Sequence, residues 1–275
     1  MKFNLLFLLL LTVLAVPLRA QQGGNITMKM DFIAWGDEIK GLSLDPGAVK
    51  SGITALGFRY STSVSYSGPA VMAIYQSAGS SASPAAKASF EELPSNLRPT
   101  IVEKPSSSEK NPMPKQGLAL ELEKRRIKEP TLVALAVLPA AGCRRATVLL
   151  APAEGGTFTA YVIDDDPARL PVGQLRIHNL SPMQIALRCN ESPVRELNTR
   201  ESMIILAKMD HVIYELAYKL EDEWKKQENN IVKVRPMEQT QMIILKSNHS
   251  YFLASDGSAS GFLQIVTLRR SPDAR

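Results

Sequence analysis

The segment from Leu170 to Cys189 constrains the fold most, because its apolar residues alternate with polar ones on both sides of a turn. Apolar side chains occupy every second position before Asn179-Leu-Ser-Pro182 and again after it. A period of two places successive side chains on opposite faces of a strand, so each arm is predicted to be a half-buried β-strand. The two arms are predicted to form a β-hairpin, with His178 on its polar face and Cys189 on its apolar face.

Short strands of this kind recur along the chain, separated by turn residues. About seven fall on each side of an acidic joint at Asp164-Asp-Asp-Pro167, and about seven short strands are typical of an immunoglobulin-like sandwich. The sequence predicts a mainly β protein with two immunoglobulin-like β-sandwich domains in tandem, residues 21–166 and 167–275. The strands predicted in the first domain are Ile26–Ala34, Leu42–Leu44, Leu56–Tyr60, Ala70–Tyr75, Thr131–Leu138, Ala146–Ala151 and Thr157–Ile163, with Ser61–Pro69 as a connector. Outside the hairpin and residues 210–229, those predicted in the second are Ser202–Ala207, Ile231–Arg235, Gln241–Lys246 and Phe262–Arg269.

Two segments allow alternative interpretations. Residues 118–128 suit a strand or a short helix. Residues 210–229 carry both an alternating face and an apolar helical stripe, and we favour a hairpin turning at Glu221-Asp-Glu223 because the neighbouring segments are predicted strands. A faint internal repeat pairs Thr147-Val-Leu-Leu-Ala151 with Met242-Ile-Ile-Leu-Lys246, each near the end of its half.

The first 20 residues have the features of a secretory signal peptide. Lys2 precedes an apolar run from Leu5 to Val16, and Ala20 is a small residue before a predicted cleavage at Gln21. A retained membrane anchor is the alternative, but the run is short for a bilayer. We therefore expect an exported protein, periplasmic, cell-surface or secreted, with no transmembrane segment in the mature chain.

Composition separates one further segment and excludes one class of partner. Residues 77–117 are rich in Ser, Ala, Pro and Lys and are predicted to be a disordered insertion in the first domain, with a proline-motif ligand as the alternative. Loss of Lys2 and Arg19 with the signal lowers the formal charge from +5 to +3. Basic residues cluster only briefly at Lys124-Arg-Arg126, so nucleic-acid binding is not expected.

The chain has two cysteines, Cys143 and Cys189, and export permits a disulfide between them. Such a bond would close a loop of about 46 residues and would stabilise the fold by roughly 4 kcal/mol. Two separate buried thiols are the alternative, and the apolar face that carries Cys189 favours it.

No catalytic motif is present in the sequence. There is no Gly-x-Ser-x-Gly turn and no His-Glu-x-x-His motif, and His178, His211 and His249 are isolated and interpreted as solvent-facing. Asp164-Asp-Asp166 could bind calcium, but a plain turn is the simpler interpretation. The remaining candidates are aromatic residues that could form a sugar platform, although core packing is their commoner role. They are Trp35, Tyr60, Tyr66 and Tyr75.

The order of Tyr66-Ser-Gly-Pro-Ala-Val71, Asp164-Asp-Asp-Pro167 and Pro171-Val-Gly-Gln-Leu-Arg-Ile-His-Asn-Leu-Ser181 resembles that of uncharacterised exported bacterial proteins with tandem β-sandwich modules. The resemblance implies a fold and an exported location, and it implies no activity and no functional residue. We therefore expect a non-enzymatic binding or structural module of the cell envelope, without a cofactor or metal, whose partner is another envelope protein or a glycan. A carbohydrate-binding or glycan-hydrolysing protein is the alternative.

Overall fold

The computed structural model describes residues 25–44, 52–77, 117–139, 142–246 and 262–271. The fold is mainly β, as predicted, with one short helix, α1 (Leu118–Arg126). Strand pairing divides the described chain into two groups, which we call the first and second halves, and no strand of one half pairs with a strand of the other within the described ranges.

The first half contains strands β1 to β8, which hydrogen-bond in the order β6-β5-β2-β3-β1-β7-β8, with β4 also paired to β1. The pairs β1–β7 and β1–β3 are parallel, and the others are antiparallel. Its strands are β1 (Ile26–Ala34), β2 (Ile39–Ser43), β3 (Ile53–Gly57), β4 (Val64–Gly68), β5 (Val71–Gln76), β6 (Leu132–Val137), β7 (Arg145–Pro152) and β8 (Phe158–Asp164).

The second half contains strands β9 to β16 in two four-stranded sheets, ordered β11-β10-β13-β14 and β12-β9-β15-β16. The pair β9–β15 is parallel and the others are antiparallel. Its strands are β9 (Gln174–Asn179), β10 (Ile185–Cys189), β11 (Arg195–Leu197), β12 (Ser202–Leu206), β13 (His211–Leu220), β14 (Glu223–Lys233), β15 (Gln239–Lys246) and β16 (Leu263–Arg270).

The two halves repeat one topology. The series β4-β1-β7-β8 corresponds to β12-β9-β15-β16, with the parallel pair at the same place, and the series β3-β2-β5-β6 corresponds to β11-β10-β13-β14. The difference is a short β1–β3 pairing, through Leu56 and Gly57, which joins the two series of the first half. The faint sequence repeat therefore marks equivalent strands, β7 and β15. Its alignment is one residue out of phase, since Thr147 faces away from its own core whereas Met242 faces into it.

Each half encloses its own apolar core. The first core includes Met30 and Phe32 of β1 and Val148 of β7, and the second includes Ile177 of β9 and Met242 of β15. The central strands β7 and β15 are buried along nearly their whole length. A strand buried on both faces reads as a continuous apolar run rather than an alternating one.

The predicted hairpin at Leu170–Cys189 is wrong. Strands β9 and β10 occur as predicted, but β9 pairs with β12 and β15 and β10 pairs with β11 and β13, so the two lie in opposite sheets. The alternation of apolar and polar residues defines an apolar face on each strand. It does not determine whether two such strands pair within one sheet or pack face to face from two sheets. The side chain of Asn179 builds the corner, since it donates to the carbonyls of Met183 and Leu197 and accepts from the backbone and hydroxyl of Ser181.

Other elements were predicted with mixed success. The hairpin at residues 210–229 is confirmed, and β14 extends through residues predicted as a separate strand. Residues 118–128 contain the helix rather than a strand. The prediction of Ser61–Pro69 as a connector is wrong, because this segment contains β4, and Tyr66 of β4 packs in the first core. Strand β3 begins and ends about three residues before its predicted bounds.

Two predicted segments lie outside the described residues. They are the signal peptide at residues 1–20 and the body of the low-complexity insertion. Among the helices of the described chain, none is long and apolar enough to cross a membrane.

Candidate functional site at the junction of the halves

The outer faces of two equivalent sheets pack against each other. Ile33 and Leu149 of the first half meet Ile243 and Leu268 of the second in a separate apolar cluster. Trp35 belongs to this cluster, with its ring 5.5 Å from that of Phe58 in an edge-to-face contact. The junction is therefore a buried surface with apolar sides.

Two aspartates and two arginines form the polar centre of this junction. Arg270 of β16 donates to Asp31 of β1 at 2.6 Å and to Asp165 at 2.5 Å. Arg145 of β7 donates to Asp31 at 3.1 Å. The carboxylates are almost fully buried, at 2% and 1% side-chain exposure. Burial raises the pKa of Asp165, whereas the Arg270 guanidinium acts to lower it. We call these four residues the charge cluster, and their formal charges sum to zero.

Neutral side chains complete the hydrogen bonding of the charge cluster. Thr147 donates to Asp165 at 2.8 Å, and Gln241 donates to Asp165 at 2.6 Å and to Tyr60 at 3.2 Å. Because the amide nitrogen of Gln241 is used in this way, its oxygen accepts from Nε2 of His178 at 2.9 Å. The ring of Tyr60 lies 3.9 Å below the Arg270 guanidinium, and burial raises the pKa of its hydroxyl.

His178 corrects a prediction, since its ring is buried and does not face solvent. The polar face of β9 packs on the first half, which leaves His178 only 8% exposed. Burial lowers the pKa of His178 to about 4, so the ring is neutral near pH 7. His211 is partly exposed and its Nδ1 lies 2.9 Å from the carbonyl of Met209, while His249 lies outside the described residues.

The aspartates at the acidic joint bond mainly to the protein itself. Asp164 pairs with Arg169, Asp165 belongs to the charge cluster, and Asp166 accepts from the backbone of Arg144 and Ala168. Over the residues the structure describes, no group of three or more His, Cys, Asp or Glu could hold a metal ion. This geometry is that of a hydrogen-bonded turn linking the halves.

The two cysteines lie free and buried in different cores, Cys143 in the first and Cys189 in the second. The Cys143 thiol donates to the carbonyl of Arg145 at 3.0 Å and to Asp164 at 3.2 Å. Burial raises the pKa of each thiol to about 11, so neither is an activated nucleophile.

The proposed aromatic platform does not form an exposed row. Trp35, Tyr66 and Tyr75 are each no more than 8% exposed, and Tyr60 is covered by Arg270. The Tyr66 hydroxyl donates to the carbonyl of Pro69 at 2.8 Å. Trp35 and Tyr60 therefore pack in the junction, Tyr66 packs in the first core, and Tyr75 packs in a separate cluster with Leu122 of α1.

A groove of about 780 Å³ opens in the first half between β3 and β4. Each of these strands keeps one edge largely unpaired, because β4 pairs only with β1 within the described chain, and β3 pairs with β1 only at its last two residues. Apolar groups from Leu44, Ile53 and Val64 reach the groove and also pack on the first core. The described residues that line it include no charged side chain.

Comparisons with protein-family models and with curated proteins found no match.

Two catalytic arrangements are not formed by the described residues. In the described chain, neither His178 nor His211 is hydrogen-bonded to a hydroxyl or thiol nucleophile. Glycoside hydrolysis would need two carboxyl groups exposed in a cleft, whereas Asp31 and Asp165 are buried in ion pairs. The charge cluster therefore joins the two halves through buried ion pairs.

Sequence reasoning missed the charge cluster. Its members Asp31, Arg145 and Arg270 carry no local motif that singles them out in the sequence. The sequence does contain a signal, since β7 and β15 include the continuous apolar runs Val-Leu-Leu-Ala (148–151) and Met-Ile-Ile-Leu (242–245). Such runs indicate burial on both faces, and polar residues on the outer face of such a strand then need buried partners.

Proposed function

We propose that this protein is an exported, non-enzymatic binding module of the cell envelope, built from two immunoglobulin-like sandwich domains held as one rigid pair. The observation that carries the proposal is the groove between β3 and β4. Its walls are two strand edges whose backbone groups are largely unpaired within the described residues, and its floor is formed by apolar side chains that pack on the first core. Such a site accepts an extended polypeptide that adds as a strand and inserts alternate apolar side chains.

The lining chemistry favours a polypeptide over a glycan. Sugar sites commonly offer an exposed aromatic face, and the aromatic ring of the groove, Tyr66, is buried with its hydroxyl already bonded. The uncharged lining also gives no counter-charge for an anionic ligand. We therefore assign the groove an extended, uncharged segment of a partner protein.

A peptide titration tests this proposal. The probe is a synthetic peptide of alternating Val and Thr, about seven residues long, which matches an ordinary strand. Its control is the same peptide with alternate backbone nitrogens methylated, which keeps the side chains and removes strand hydrogen bonds. We expect the unmodified peptide alone to bind.

Protein variants separate the groove from other strand edges. Ser65→Lys places a charge on the free edge of β4 and should abolish binding, because edge lysines block strand addition. The matched control is Thr159→Lys on the exposed face of β8, which should bind as the natural protein does. Equal binding of both peptides, or no effect of Ser65→Lys, would contradict the proposal. Export is tested separately by mass spectrometry of protein made in a bacterial host, where the expected first residue is Gln21.

A further inference from the structure

A second opening lies between the two halves and differs in chemistry from the groove. This cleft, of about 420 Å³, separates the edge strand β8 from β9 and β12. Its volume falls within the range of small-molecule sites, about 300–1,000 Å³. The residues that define its polar character are Tyr161, Asp164, Arg176, His178, Arg200 and Ser202.

The strand register brings these side chains to one face. Arg176 and His178 are two residues apart on β9 and therefore point to the same side of the sheet. Ser202 of β12 lies directly opposite His178 in the ladder. Arg200 precedes β12 in a tight turn with φ of 68°, where its backbone nitrogen donates to the carbonyl of Asn179 at 2.6 Å.

The cleft carries positive charge that the protein compensates only in part. Arg176 is 8% exposed, and its guanidinium donates to the backbone carbonyls of Asp164 at 2.9 Å and Arg169 at 2.5 Å. These acceptors are neutral, and the carboxylates of Asp164 and Asp165 pair with Arg169 and Arg270.

Arg200 adds a second cation to the cleft, and it forms no ion pair within the described chain. It lies close enough to Tyr161 to act on the hydroxyl: burial raises the pKa of Tyr161, and the charge of Arg200 opposes this by lowering it. The buried charge of Arg176 is unfavourable without an ionic partner. Arginine is well suited to paired hydrogen bonds with a carboxylate or phosphate.

We propose that this cleft binds a small anionic ligand that carries a carboxylate or a phosphate group. Arg176 provides the buried positive charge, Arg200 provides a second cation at the opening, and Ser202 and Tyr161 provide neutral donors. His178 lines the cleft as a neutral ring and adds no charge. The site is distinct from the β3–β4 groove, and the inference holds whether or not a partner strand binds there.

Calorimetric titration of the mature chain at low salt tests the proposal with three probes: inorganic phosphate, acetate and glucuronate. We expect at least one probe to bind at concentrations up to about 10 mM, and we expect binding to weaken as salt is added. Tighter binding of phosphate would identify a phosphate ligand, and tighter binding of glucuronate than of acetate would identify an acidic sugar.

A variant pair separates the cleft from general surface charge. Arg200→Ala should weaken binding about tenfold or more, since it removes charged hydrogen bonds, and should leave the unfolding midpoint unchanged because the side chain is exposed. Arg195→Ala, an exposed arginine on β11 in the other sheet, is the matched control and should not change binding. No binding of any probe, or equal affinity of Arg200→Ala and the natural chain, would overturn the proposal.

Discussion

Arg270 is the side chain whose removal should most weaken the attachment of one half to the other. Its guanidinium bridges Asp31 and Asp165, whose side chains are 2% and 1% exposed, and it lies over the ring of Tyr60. The change Arg270→Ala removes this bridging cation and leaves both carboxylates in place. Removing one partner of a buried ion pair costs about 3–5 kcal/mol, and the lost ring contact adds about 0.5–1 kcal/mol.

We therefore expect the free energy of unfolding to fall by about 4–6 kcal/mol. Urea unfolding followed by tryptophan fluorescence measures this, because Trp35 is buried in the junction. The control is Arg269→Ala, the preceding residue of the same strand, which is exposed and, among the described residues, bonds the carbonyl of Lys233 alone. Its cost should be within about 0.5 kcal/mol. Separate transitions for the two halves in Arg270→Ala would also support the reasoning.

A double-mutant cycle gives the decisive result. Asp165→Asn should be destabilising alone, and its combination with Arg270→Ala should cost less than the sum, by about 1–3 kcal/mol. If the two effects simply add, or if Arg270→Ala costs under about 1 kcal/mol, the charge cluster does not hold the halves together.

Three further predictions follow from the same buried groups. Burial lowers the pKa of His178 from 6.5 to about 4, so between these two pH values the unfolded chain binds a proton at His178 that the folded chain does not. The free energy of unfolding should therefore fall by up to about 3 kcal/mol as the pH drops from 6.5 to 4. Urea titrations at several pH values should show that His178→Gln removes this part of the pH dependence. Cys143 and Cys189 are free and buried, so the protein denatured without reductant should show two reactive thiols and the native protein almost none; a need for reductant would refute this. The Thr240 hydroxyl is buried without a hydrogen-bond partner in the described chain, whereas that of Thr147 bonds Asp165, so Thr240→Val should be neutral or stabilising and Thr147→Val should cost about 1–3 kcal/mol in the same unfolding assay.

The sequence predicted most strands because alternation and turn residues are local signals. Strand β1 was predicted with its observed bounds, and the hairpin of β13 and β14 was distinguished from a helix by its neighbours. Strand β4 was missed because three of its five residues are Ser or Gly. Its single large buried residue, Tyr66, does not by itself produce an alternating apolar pattern.

The pairing of strands could not be predicted in the same way. Strands β9 and β10 have the alternation of a hairpin, yet their apolar faces meet across the core from opposite sheets. That choice depends on contacts with β12, β13 and β15, which lie far along the chain. The charge cluster depends on still more distant residues, since Asp31 and Arg270 are 239 positions apart. No local pattern relates such residues.

The unequal polar faces of the two halves explain why this junction has one arrangement. Apolar contact between two equivalent sheets is non-directional and would also allow a half to pack against a copy of itself. The first half supplies both buried carboxylates, Asp31 and Asp165, and one cation, Arg145, whereas the second supplies Arg270 and Gln241. Two copies of the first half would bury more carboxylates than arginines, and the excess negative charge is strongly unfavourable. A repeat of one topology therefore becomes an ordered pair through a few side chains that differ between its halves.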